Sequence, residues 1–261
     1  MTRIDAAFAP GRPAFMPYFP LGFPTPEASV DVLEALARGG ADLIEVGLPF
    51  SDPLADGPVI QQATQIALKN GMTVARALAA VAALRARGVA IPLVLMGYYN
   101  PLLSYGLPRL AADAASAGAD GFIVPDLPPE EAGEMLETLR ATSLRMIHMI
   151  APTTPPDRAR RITQNAQGFL YLVSLTGVTG ARSELPPGLQ DFIATMRGLT
   201  SLPLCVGFGI ATPAHALAVG RLADGVIVGS ACVRAIGEAA DPVAEAERFA
   251  RAFRQALDGV G

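Results

Sequence analysis

Eight times along the chain a short apolar or β-branched run gives way to a longer stretch with helical spacing. That alternation narrows the possible folds more than any other feature. The runs expected to be strands are residues 15–20, 42–46, 92–97, 121–124, 145–149, 168–173, 204–207 and 225–228. Between them lie segments such as 27–38, where Val30, Leu33 and Leu36 or Ala37 recur on one face. A last helix over about 241–257 places Phe249, Phe253 and Leu257 four residues apart. Pro26, Pro108, Pro129, Pro156 and Pro213 mark expected first turns. Strict β–α alternation implies parallel strands joined by right-handed crossovers. Eight such units in roughly 250 residues is the size of a (β/α)8, or TIM, barrel, so one barrel domain over residues 1–261 is expected. A doubly wound open sheet is the alternative, but no G-x-G-x-x-G follows the first strand.

Composition supports a large core: 51% of residues are apolar and 17% charged. The net charge of −4 offers no basic face for nucleic acid. "MTRIDAAFAPGRP" contains no apolar leader region. The most apolar stretch, "AIPLVLMGYYNPLL", is broken by Gly97, Asn100 and Pro101 before it reaches the roughly 18 residues of a membrane span. A cytoplasmic protein is expected. Cys205 and Cys232, in apolar strand-like surroundings, read as small core residues of a reducing compartment.

Active sites of such barrels lie at the carboxyl ends of the strands. After strand 7 comes "GFGIATPAHA" and after strand 8 "VGSACVRAI", placing Gly207, Gly209, Gly229 and Ser230 where strand gives way to helix. Glycine lets backbone approach a ligand, and a helix N-terminus offers free N–H groups and a positive dipole end. The strand-6 loop, "SLTGVTGARS", adds Gly177 and Gly180 around Thr179. Three such loops on one edge suit a phosphate held by backbone amides; the alternative for each is a tight βα turn. No metal is expected, because His215 and Cys232 lack partners at ligand spacing. His148 reads as a core or rim residue of strand 5 and His215 as a surface helix residue, neither as catalytic.

The second strand raises a separate question: "IEVGLPFSDPLADGP" carries an acid within an apolar run. By strand alternation Leu43, Glu45 and Gly47 point one way and Ile44 and Val46 the other. The outward face must be apolar to meet helices, so Glu45 points into the barrel mouth. Burial there raises its pKa toward what a general acid–base group needs; the alternative is a Glu tied to backbone N–H groups or an Arg. Asp52 reads as a turn former, whereas Asp56 is placed to touch a ligand. Asp126, ending strand 4, reads as holding the strand-2 loop. Tyr171 near the end of strand 6 is either core or a substrate contact.

Taken together, "IEVGLPFSDPLADGP", "MGYYNP", "VPDLP", "YLVSLTGVTGAR", "VGFGI" and "ADGVIVGSA" resemble the tryptophan synthase alpha subunit family over residues 15–233. The resemblance implies a (β/α)8 barrel that cleaves indole-3-glycerol phosphate to indole and glyceraldehyde 3-phosphate in tryptophan biosynthesis. It implies Glu45 as general acid–base residue and Asp56 as the carboxylate that binds the indole N–H. Tyr171 would lie near the glycerol part, and Thr179 would meet the aspartate on closure. Gly180, Gly209, Gly229 and Ser230 would form the phosphate cradle, while Tyr18, Met96, Tyr98 and Phe208 would line the indole pocket. The implied partner is a beta subunit holding pyridoxal phosphate, in an α2β2 tetramer, with no cofactor in this chain. Residues 52–58 and "MGYYNP" are the expected contact surfaces.

Two departures stand out. Phe23 replaces an aspartate many relatives have after the first strand, and Tyr18 replaces a commoner Phe, adding a hydroxyl. Other phosphate-binding barrels, such as a sugar-phosphate isomerase or indole-glycerol-phosphate synthase, bring lysines or metal-binding histidines to the mouth; Lys69 is the only lysine here. A standalone lyase of the same fold, or a catalytically silent barrel serving as partner subunit, are the other readings.

Overall fold

The computed structural model of the chain describes residues 1–9, 11–173, 187–207 and 209–260. Its strands are β1 (Ala14–Pro20), β2 (Ile44–Gly47), β3 (Leu93–Met96), β4 (Gly121–Ile123), β5 (Arg145–Ile150), β6 (Leu170–Val173), β7 (Leu204–Gly207) and β8 (Gly225–Val228). They pair in parallel and in chain order, and β1 closes onto β8. Each overlaps a run expected from the sequence, and the fold is the (β/α)8 barrel. The described helices are α1 (Arg3–Ala7), α2 (Pro26–Arg38), α3 (Pro58–Lys69), α4 (Val74–Ala86), α5 (Tyr99–Tyr105), α6 (Leu107–Ala117), α7 (Gly133–Leu139), α8 (Pro156–Asn165), α9 (Leu189–Arg197), α10 (Pro213–Gly220), α11 (Ser230–Gly237) and α12 (Pro242–Asp258).

Strand alternation sorts the apolar side chains into two cores. Ile44, Val46, Leu95, Phe122 and Val226 face the helices. Met16, Leu43, Val94, Ile123, Phe169 and Ile227 fill the barrel interior. Burying one such side chain is worth about 1.5–3 kcal/mol, so the period-two pattern is what forces a closed sheet wrapped by helices. Helix α2 shows how the outer layer is placed. Thr25 caps it by accepting the Ala28 N–H at 3.2 Å, and Pro26 pre-sets the first turn. Its apolar face packs on β1 and on α12, where Phe15 and Phe253 stack with ring centroids 5.4 Å apart.

The amino-terminal end of the barrel is plugged by α1, which sequence periodicity did not reveal because five residues are too few to show it. Ile4 is fully buried within the interior core, and Phe8 meets Phe169 at 5.9 Å. Beside this end a cluster of charges joins β1 to the last helix. Arg254 donates to Asp42 at 2.5 Å and to the Pro13 carbonyl at 3.0 Å, while Arg12 bridges Asp42 at 3.0 Å and Asp258 at 2.6 Å.

Two local expectations need correction. Pro129 does not open a helix: α7 begins at Gly133, and residues 128–132 form a turn in which Glu131 N–H donates to the Pro128 carbonyl at 2.9 Å. Pro128 cannot adopt helical backbone easily ahead of another proline, which delays the helix. Cys232 lies on α11, not in strand-like surroundings; it and the β7 residue Cys205 are buried free thiols.

Candidate active site

Strand β2 carries Glu45 at the carboxyl end of the barrel, two residues on from Leu43 of the interior core. Glu45 is fully buried, and neither carboxyl oxygen has a hydrogen-bond partner among the described residues. Among the described residues no guanidinium or backbone N–H meets it. Loss of hydration disfavours the charged form, and burial pushes Glu45 up to about 8.

Asp56 sits in the loop between β2 and α3, half-buried. Burial raises its carboxyl to about 6, and a hydrogen bond from the Tyr98 hydroxyl opposes that rise. Tyr98, at the N-cap position of α5, also accepts the Ala55 N–H at 2.9 Å, and its ring lies 5.3 Å from that of Phe50. The strand-3 end therefore braces the strand-2 loop through this one tyrosine. Asp126 does something different from what its position suggested. Its carboxylate accepts the Tyr99 N–H at 2.9 Å, so it fixes the start of α5, next to the Tyr98 that braces the strand-2 loop. Asp52 is exposed and accepts the Ser51 hydroxyl, a local turn contact.

Two tyrosines line the mouth, each made possible by a glycine on the next strand. Tyr18 of β1 lies across Gly47 of β2, where a Cβ would come within 2.7 Å of the ring Cζ. Tyr171 of β6 lies across Gly207 of β7, where a Cβ would come within 2.6 Å of the ring. Both rings are buried, and both hydroxyls feel the charges of Glu45 and Asp56. Those two glycines were not read as making room for tyrosines. The available signal was a glycine two residues beyond an inward-facing position. Met96, half-buried at the end of β3, packs against both cores at the same mouth.

The candidate phosphate end differs between two helices that looked alike in sequence. Thr212 caps α10 by accepting the His215 N–H at 3.2 Å, which satisfies part of that terminus. Helix α11 opens on Gly229 with no side-chain cap, followed by exposed Ser230. A Cβ on Gly229 would lie 3.8 Å from the Tyr18 Cβ, so this uncapped terminus borders the mouth. Gly209 is exposed and has φ +79°, a conformation that favours glycine. Thr179, Gly180, Gly177 and Phe208 lie outside the described residues.

His148 faces away from these groups. It is buried on β5 beside a cavity of about 240 Å³ that Asp126 and Arg158 also line, and burial lowers its imidazole pKa. His215 is a half-buried α10 residue. Among the described residues no three His, Cys, Asp or Glu side chains converge as a metal ion would require. The arrangement is that of an apolar mouth with one neutral acid, one ionised acid, two phenols and an open helix terminus.

A family model described as Tryptophan synthase alpha chain matches residues 4–259. The chain is 56% identical over 237 residues to the tryptophan synthase alpha chain of Chloroflexus aggregans, covering 89% of each. It is 52% identical over 260 residues to that of a Roseiflexus species, covering 97% of this chain and all of the other. A crystal structure of the tryptophan synthase alpha chain from Legionella pneumophila superposes with a TM-score of 0.92 at 38% identity, covering 100% of this chain and 99% of that one. A structure of Mycobacterium tuberculosis tryptophan synthase gives 0.90 at 37%, covering 98% and 96%.

Proposed function

The chain belongs to the tryptophan synthase alpha chain family, carbon–carbon lyases that split indole-3-glycerol phosphate into indole and glyceraldehyde 3-phosphate, and we propose that Glu45 and Asp56 carry that reaction here. The observation that carries the reading is the state of Glu45. A carboxyl with no partner among the described residues, pushed to about 8 at the barrel mouth, is protonated at neutral pH and able to give its proton away.

Cleavage needs a proton on indole C3 and loss of the proton from the glycerol hydroxyl. Neutral Glu45 delivers the first, leaving an indoleninium ring and a carboxylate. The carboxylate then takes the hydroxyl proton as the C–C bond breaks, and the bonding pair returns to the ring. Indole and the aldehyde leave, and Glu45 is again neutral. Asp56, ionised above about 6, accepts the indole N–H and stabilises the positive ring. A lysine there would oppose the developing charge.

Gly209, Gly229, Ser230 and the open end of α11 receive the phosphate. Tyr171 faces the glycerol part, while Tyr18, Met96 and Tyr98 border the indole. By the resemblance Gly180 joins the phosphate cradle, Thr179 meets Asp56 on closure and Phe208 lines the indole pocket. The partner this reading implies is a beta chain holding pyridoxal phosphate, in an α2β2 tetramer within the cytoplasm, this chain itself using no cofactor. Leu54, 94% exposed in the loop that Tyr98 braces, supports residues 52–58 and the segment after β3 as the contact surface. No single described helix is long and apolar enough to cross a membrane.

The test is indole release from the purified chain, alone and with a beta chain. Glu45→Gln is expected to lower kcat by about 10²–10⁴-fold while leaving affinity for glycerol phosphate nearly unchanged. Comparable turnover by that variant removes Glu45 from its role, and no indole release even with the beta chain sinks the whole reading.

A further inference from the structure

The proposed cycle leaves Glu45 ionised between its two proton transfers, in a cage that gives its oxygens no donor among the described residues. A bare carboxylate there would be costly unless something supplies a hydrogen bond at that moment. We propose that the Tyr18 hydroxyl is that donor, a positioning residue that holds the Glu45 carboxylate during the ionised half of the cycle. This inference rests on the reading of Glu45 as the acid–base group.

The geometry supports it in three ways. Tyr18 and Glu45 are register partners on adjacent parallel strands, so their side chains leave the sheet side by side. Gly47 leaves the space across which the Tyr18 ring lies, carrying its hydroxyl over β2 on the side of the Asp56 loop. The side chain is only 6% exposed, so a hydrogen bond that its hydroxyl donates inside the mouth is shielded from water. Burial, then the charges of Asp56 and Glu45, hold the phenol well above its ordinary pKa. Tyr18 therefore keeps its proton throughout and only shares it.

The other groups facing Glu45 serve less well. Tyr171 on β6 also feels the Glu45 charge, but it stands on a strand that does not pair with β2. Cys205 on β7 is a buried thiol and a weak donor. Asp56, ionised, is an acceptor. The proton balance is unchanged by Tyr18: Glu45 gives one proton to C3 and regains one from the glycerol hydroxyl.

A donor to the charged form lowers the Glu45 pKa, so removing it raises that pKa and destabilises the ionised intermediate. The experiment is the pH dependence of kcat and KM for the full chain, with and without a beta chain, in Tyr18→Phe, Tyr171→Phe and Glu45→Gln. Tyr18→Phe keeps the ring, so an unchanged melting temperature is expected. Its kcat is expected to fall roughly tenfold or more with KM little altered, and its alkaline limb to move to higher pH than the wild-type limb. An unaltered limb and kcat in Tyr18→Phe overturns the proposal, as does a limb that moves only in Tyr171→Phe. The two readings fail separately. An active Glu45→Gln discards Glu45 itself, whereas an inactive Glu45→Gln beside a wild-type-like Tyr18→Phe discards only the role of Tyr18.

Discussion

Glu45 and Asp56 are held by their surroundings in opposite states near neutral pH. Full burial, with no partner among the described residues, keeps Glu45 protonated to about 8, and partial burial relieved by the Tyr98 hydroxyl keeps Asp56 ionised above about 6. We therefore expect kcat/KM to fall below about pH 6, as Asp56 takes up a proton, and above about pH 8, as Glu45 loses its own. Tyr98→Phe removes a donor that favours ionised Asp56, so its acid limb is expected at higher pH than the wild-type limb. A pair of pH–rate profiles checks this. Stability follows the same sign. The folded chain holds the Glu45 proton more tightly than the unfolded chain does, so stability from this group is complete below about 4.5 and declines toward about 8. Glu45→Gln removes that decline. Its stability relative to wild type is expected to be higher by on the order of 2–4 kcal/mol at pH 8 and nearly equal at pH 4.5, measured by denaturant unfolding at both. Strand parity alone placed Glu45 in the mouth. It could not show that Tyr98 holds Asp56, because that contact joins two loops whose approach only the closed barrel defines.

Elements that look alike in sequence differ in how their ends are finished. Helices α10 and α11 both follow a glycine-bearing strand end, yet Thr212 satisfies the first terminus and nothing on Gly229 satisfies the second. The open terminus is the one a phosphate can use. Gly229→Asp would install both a cap and a negative charge there. It is expected to leave stability unchanged or raised by about a few tenths of a kcal/mol, while raising KM for indole-3-glycerol phosphate roughly tenfold or more. Steady-state kinetics beside a thermal melt checks both halves. The strands were legible because buried parallel strands are near-continuous apolar runs. Proline was the less dependable sign: Pro26, Pro156 and Pro213 open helices, whereas Pro129 sits in a turn because Pro128 precedes it. Asp126 was misplaced for a related reason, since its neighbour along the sheet is β3 and its partner is the helix that β3 leads into.

At the scale of the molecule, closure depends on joining the first strand to the last helix. Arg254 is nearly buried between Asp42, Asp258 and the Pro13 carbonyl, with one nitrogen left without a described partner. Removing it would leave Asp42 with Arg12 and the Phe15 N–H as its partners. Arg254→Ala is expected to lower stability by about 1–3 kcal/mol with kcat of the folded enzyme unchanged, since the cluster lies at the end opposite the mouth; denaturant titration with activity measured in the native range tests this. The eightfold alternation announced the barrel, but the clasp and the amino-terminal helix escaped it, because ion pairs between distant segments and one-turn helices leave no period. That short helix has a further consequence. With Ile4 and Phe8 packed at the amino-terminal end and side chains filling the interior, a product made at the mouth leaves by the threshold its precursor entered. A partner seated at that threshold needs no pull on the product; it only has to stand in the doorway.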